Sequence, residues 1–178
     1  MTTTNTIQAF SAVFSDPIVF DFGGLTEQQF ENLCKNHRDI KFELNEKGDL
    51  FIMPPTSPEA GWKNTKLTTK TEIWSEKDKT GIVFDSSTMF TLPNGAKRSP
   101  GVSWMTKEKY NSLSDEEKKT FAKIVPDFVI ELRSPTDNLK PIQNKMNEYI
   151  ENGVLLGWLI DPKNKKVHIY RANGEVEI

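Results

Sequence analysis

The run "VPDFVIELRSP", residues 125 to 135, limits what this chain can fold into more than any other segment. Its apolar content and length mark a buried strand, yet it carries three charges. Side chains alternate between the two faces of a strand. Asp127, Val129, Glu131 and Arg133 therefore share one face, and Phe128, Ile130 and Leu132 share the other. A charged face on a central strand is either solvated or the floor of a site that holds charge, such as a metal site.

The elements around this strand set the architecture. Thr26, with Gln29 three residues later, predicts a capped helix over "TEQQFENLCKNH". "IKFELNEKGDLFIMPP" alternates around a Gly- and Asp-rich turn and predicts a hairpin over 40–53. Ser57 followed by Pro58 predicts the start of a longer helix over 58–79. "IVFDSSTMFTLP" and "SPGVSWMTK" predict strands over 82–90 and 101–105, followed by a polar helical excursion over 107–124. After the opening strand, Leu139, Ile142, Met146, Tyr149 and Ile150 form an apolar stripe ending at Gly153. Thr136 or Asp137 would cap this helix, and Pro141 requires it to begin near Lys140. Further strands finish the chain. The expected fold is α/β (α+β), a central mixed β-sheet flanked by helices and extended by the hairpin. Residues 1–23 read as a loose arm and 24–178 as one domain.

Composition narrows the function classes. The 178 residues are 36% hydrophobic and 27% charged, the balance of a folded, soluble chain. No apolar run approaches a membrane span, and a secretory signal with a basic start is missing. One cysteine, Cys34, excludes an internal disulfide and a Cys-rich zinc site. These features suit the cytoplasm. The formal net charge of −2 does not mark the whole molecule as a nucleic-acid binder, although a local basic patch remains compatible with it. His37 and His168 show no ligand spacing. "SSTM" lacks a nucleophile elbow, and no phosphate-binding or dinucleotide fingerprint is present.

Glu131 and Lys145 are the leading candidates for chemistry. Lys145 lies beside the apolar stripe of its helix, where a lysine ordinarily snorkels to water. Its helix follows Glu131 by one short loop and should pack back on that strand. Glu148, Glu151 and Asn144 are expected on the solvated side. Metal-assisted phosphodiester cleavage needs carboxylates for a hard cation and a lysine to offset transition-state charge. Glu59 in a first helical turn and Asp127 at the strand entry are further acids. Each has an ordinary structural reading, as a dipole partner and as a cap or surface acid. Glu43 and Asp85 are weaker candidates. A carboxylate-pair glycosidase built on Asp127 and Glu131 is a remote option, because about 13 Å separates their Cα atoms along a strand.

"PDFVIELRSPTDNLKPIQNKMNEYIENGVLLGWLIDPKNKKVHIYR", with "FDSSTMFTLPNGAKRSPGVSW" and "MPPTSPEAG" upstream, resembles the Uma-two putative restriction endonuclease family over about residues 43–171. The resemblance implies the restriction-endonuclease-like PD-(D/E)XK fold, DNA as substrate, Mg²⁺ or Mn²⁺ as cofactor, and a homodimer. It implies Glu131 as the acid of the third-strand motif and Glu59 as a helical acid that assists. The Leu132 carbonyl would be a metal ligand, and Asp127 a recurrent acid with a possible ligand role. The lysine expected two places after the acid is Arg133 here, and Lys145 on the helix would take its part. One departure matters. Where the family has Asp after Pro, this chain has Gly101. Asp85 or Asp127 then substitutes, or cleavage is impaired, or the chain is an inactive relative acting as a DNA-binding or structural homodimer.

Overall fold

The computed structural model describes residues 18–20 and 24–178. Most of the expected arm lies outside the described residues. Within it, Ile18–Phe20 form strand β1, antiparallel to β3. The order continues α1 (Glu27–Asn36), β2 (Lys41–Leu44), β3 (Leu50–Met53), α2 (Pro58–Asp78), β4 (Gly81–Phe84), β5 (Phe90–Thr91), β6 (Lys97–Arg98), β7 (Val102–Thr106) and α3 (Lys107–Asn111). After a 3₁₀ turn come β8 (Phe128–Leu132), α4 (Leu139–Glu151), β9 (Leu156–Asp161), β10 (Lys166–Arg171) and β11 (Val176–Glu177).

Two sheets result. The larger has the order β11-β10-β9-β8-β7-β4 and is mixed, since β8 and β9 run parallel while their neighbours pair antiparallel. The three strands expected together, β4, β7 and β8, are adjacent in it. Helix α2 packs on β4 and β7, and α4 on β9 and β10. Val129 of β8 is fully buried with Met146 and Tyr149 of α4 and Leu159 of β9. The charged face of the opening strand is therefore covered by α4, not solvated.

Four expectations need correction. The hairpin does not extend the main sheet. It belongs to a second sheet of order β1-β3-β2-β6-β5, because Phe42, Leu44 and Leu50 turn toward Phe30 of α1 and make a separate core. The strand expected over 82–90 stops at Phe84. The Asp85 carboxylate accepts from the Ser87 amide and from the hydroxyls of Ser87 and Thr88, a local turn that competes with the ladder. The excursion after β7 is not one helix. Ser114 and Glu117 bond each other's backbone amides reciprocally, which starts a new turn, while Leu113, Ala122 and Ile124 anchor the segment in a small core. Finally, Asn138 is the N-cap residue of α4. This places Pro141 in the first turn, as the sequence requires.

The expected starts of the first two helices are borne out. Thr26 and Gln29 form the complete capping box of α1, and Ser57 accepts from the Ala60 amide ahead of Pro58. Among the described residues no helix is long and apolar enough to cross a membrane.

Gly81 leaves room on β4 for the Trp104 indole of the adjacent strand β7. A Cβ there would lie 2.0 Å from the Trp104 indole. That ring is held by Trp74 at 5.4 Å between centroids and by a bond from its Nε1 to Ser75 Oγ. Gly81→Ala should therefore cost about 1–3 kcal/mol by overpacking. Urea unfolding measures the loss, and a changed tryptophan near-ultraviolet signal should accompany it.

Candidate active site

Glu131 is the penultimate residue of β8, and Lys145 reaches it from the middle of α4. The Lys145 ammonium lies 2.9 Å from Glu131 Oε1 and also 2.9 Å from Glu43 Oε1 of β2. One turn further along α4, the Tyr149 hydroxyl donates to Glu131 Oε1 at 3.1 Å. Glu43 is 2% exposed and fully engaged: the Ser99 amide donates to Oε1, and Arg98 of β6 donates to Oε2. The Arg98 Nε donates to Glu148 at 2.6 Å. Lys41 completes the surroundings, donating to the Ser99 carbonyl at 3.3 Å. Three carboxylates thus stand among three cations, from both sheets and α4.

Burial and pairing compete at each group. Burial raises the carboxyl pKa of Glu43, but Lys145, Arg98 and Lys41 outweigh it and hold the group below the usual range. Burial disfavours the Lys145 ammonium, but Glu131 and Glu43 outweigh it and hold its pKa above the ordinary value. Lys145 therefore remains a fixed positive charge at neutral pH rather than a proton acceptor. Lys41 differs: burial, then the neighbouring Lys145, push its pKa down. Burial and the two carboxylates push Tyr149 well up, so its hydroxyl stays a donor.

Gly101 closes the other side of Glu131. A Cβ built on Gly101 would lie 3.0 Å from the Ile130 carbonyl oxygen, 3.7 Å from Glu131 Oε2 and 3.8 Å from Asn64 Oδ1. Asn64 Oδ1 is buried and has no hydrogen-bond partner among the described residues. The position where the family resemblance implies a carboxylate therefore points at the oxygen of Glu131 that Lys145 does not hold. As the chain stands, a divalent cation is not well provided for. Hard cations take several oxygen ligands. Here one carboxylate oxygen, one side-chain amide oxygen and the Ile130 backbone carbonyl face the spot, and among the described residues no three acidic, histidine or cysteine side chains are grouped for a metal.

The remaining candidates are spread out. Leu132 lines the same cleft of about 750 Å³ as Glu43, Arg98, Glu131, Lys145 and Glu148. Asp127 lies beyond the start of β8, where it accepts from the Thr106 amide and pairs with Lys109 at 2.7 Å. It sits as a cap, away from Glu131. Glu59 is exposed and pairs with Lys63 one turn along α2. Asp85 holds its own turn. Arg133 is tied to Asp161 at 2.9 Å and to the Asp137 carbonyl, which makes it a structural brace. Glu148, expected on the solvated side of α4, is drawn in by Arg98. Glu43, Arg98 and Tyr149 are the site members that pattern reading undervalued. For Glu43 the sequence signal is the alternation of charge with apolar residues in "KFEL", and Tyr149 shows only as a member of the apolar stripe of its helix.

Comparison with known proteins bears on the family and the fold. The family model described as Uma2, putative restriction endonuclease, matches residues 27–178. A crystal structure of a putative nuclease belonging to DUF820, from Anabaena variabilis ATCC 29413, superimposes with a TM-score of 0.71 at 18% identity, covering 86% of this chain and 83% of that one. No curated protein matches. The structural likeness establishes the fold as restriction-endonuclease-like, with mixed α/β layers.

Removing the Glu43 carboxylate should leave Lys145 with Glu131 as its remaining carboxylate and Arg98 with Glu148. Glu43→Ala should cost about 3–5 kcal/mol, and Glu43→Gln less. Because the folded-state pKa of Glu43 is lowered, its stabilisation is complete above the unfolded value of about 4.3 and is lost as pH falls through the folded value. The difference in urea midpoint between Glu43→Gln and the unmodified chain should therefore be full at pH 7 and shrink in acid.

Proposed function

The chain belongs to the Uma2 family of putative restriction endonucleases, and from that premise we propose that it acts on DNA phosphodiester bonds as an endonuclease-like protein. We propose further that its dependence on a divalent cation, Mg²⁺ or Mn²⁺, is the point at which its activity is impaired. One observation carries this reading. The missing side chain of Gly101 points at Glu131 Oε2 and at the unpartnered Asn64 Oδ1, so a single substitution would complete a two-carboxylate cluster.

What the chain's own residues can do follows from their charges. The Lys145 ammonium, fixed by two carboxylates, offers positive charge to a phosphate placed against Glu131. Tyr149 holds the Glu131 carboxylate in one orientation. Lys41, at the start of β2, is a second cation beside the site, its pKa pushed down where that of Lys145 is held up. Arg133, braced by Asp161, supplies no proton acceptor.

Calorimetric titration with Mg²⁺ and Mn²⁺ tests the reading, together with plasmid nicking. The unmodified chain should bind weakly and nick slowly. Gly101→Asp should bind about tenfold tighter or more, a gain of at least ~1.4 kcal/mol, with nicking raised in parallel. Adding Glu131→Ala should remove both gains, since the two carboxylates serve one ion. Rapid nicking by the unmodified chain that survives Glu131→Ala would overturn the assignment. Cation binding restored without any nicking would favour a member of the fold kept for binding.

A further inference from the structure

Helix α2 carries an outward face that the candidate site does not use. On a helical net of 100° per residue, Trp62, Ile73, Lys66, Lys77 and Lys70 fall within one arc of about 80°. All five are exposed, with Trp62 at 55% and Ile73 at 47%. Glu59 shares the arc, but its charge is answered by Lys63 at 2.5 Å. Lys66, Lys70 and Lys77 form no ion pair with a described residue. Glu72 and Glu76 fall outside the arc, on the side away from the lysines. The Lys66 ammonium lies 4.0 Å from the Trp62 ring centroid, which holds it over an apolar surface instead of letting it sweep through solvent.

The charge on this face contrasts with the whole. Its three unanswered lysines contribute +3 to a chain of formal charge −2, so the remainder carries −5 (−2 less +3). A protein self-associating through this face would bring like charges together. A polyanion would be drawn to it and kept off the rest of the surface. The spacing also suits a repeating anion. Lys66 and Lys70 are about 6 Å apart along the axis, and Lys77 lies about 10 Å further. Together they span about five base pairs of duplex at 3.4 Å per step.

We propose that this face of α2 is a track for the phosphodiester backbone of DNA, with Lys66, Lys70 and Lys77 on phosphates and Trp62 and Ile73 against the sugar edge. The proposal rests on the reading of DNA as the substrate. It adds a surface outside the Glu131 cleft that holds the duplex independently of sequence. Helix α2 links the two places, because Asn64, two residues before Lys66, turns inward to Gly101. DNA held on the track is thereby fixed relative to the element that borders the cleft.

Fluorescence anisotropy tests this with a labelled 20-base-pair duplex and the matching single strand, in chelator, between 50 and 200 mM salt. The full chain should bind the duplex with affinity that falls steeply with salt. The triple variant Lys66→Gln, Lys70→Gln, Lys77→Gln should bind about tenfold or more weakly at low salt, with a log–log salt slope shallower by about 2–3, at about 0.9 per lost phosphate contact. A charge-matched control on the exposed turn after β9, Lys163→Gln, Lys165→Gln, Lys166→Gln, should keep the original slope. Circular dichroism should show both variants folded. If the unmodified chain binds duplex but the two triple variants lose affinity equally, or the α2 variant loses none, the track is wrong and DNA as a partner stands. If the unmodified chain does not bind DNA even at 50 mM salt, the substrate reading itself fails. Sedimentation of a dimer that Trp62→Ala dissolves would assign the face to a second copy of the chain and reject the track.

Discussion

One ammonium holds this molecule together at its centre. Lys145 stands 2.9 Å from Glu43 and 2.9 Å from Glu131, and those two carboxylates come from different sheets. Without the cation, the sheets would bring two negative charges toward one poorly hydrated spot. With it, each layer supplies what the other lacks. Arg98 extends the tie from β6 to Glu148 on α4. Such buried networks add little net stability compared with an apolar packing of the same volume, but they cost heavily when one member is removed. The network therefore fixes a single arrangement of the layers more than it deepens the energy well.

The same cation explains the character of the site. A lysine held by two carboxylates keeps its proton, so it acts through charge. A carboxylate already bonded by an ammonium and a phenol has one oxygen left to offer. The oxygen that remains on Glu131 faces Gly101 and the buried amide oxygen of Asn64, where the chain provides no second negative group. The electrostatics of the site are tilted toward the positive partners.

Much of this was legible in the sequence, for local reasons. The capping box at Thr26, the Ser57–Pro58 start of α2 and the stripe of α4 are short-range signals, and the structure follows them. The meeting of Glu131 with Lys145 was also legible, because one short loop joins their elements. What was not legible depends on distant partners. Glu43 sits in a four-residue strand whose two faces are both buried, and alternation alone cannot say which face meets another layer. Glu148 reads as solvated until Arg98, fifty positions away in the chain, is placed beside it. The division into two sheets escaped for a similar reason. It turns on Asp85 ending β4 by folding its carboxylate back on Ser87 and Thr88, a choice between turn and ladder that periodicity does not resolve.

The contact between Lys145 and Glu43 joins residues 102 positions apart. Contacts this distant are among the slowest to form, because a long loop must close before they return any energy. The hairpin, its capped helix and α2 can each take shape from local signals while the centre is still unmade. The charges that define the centre are then dispersed and hydrated. The cleft is therefore a product of tertiary closure and of no single element, since its charged groups come from β2, β6, β8 and α4.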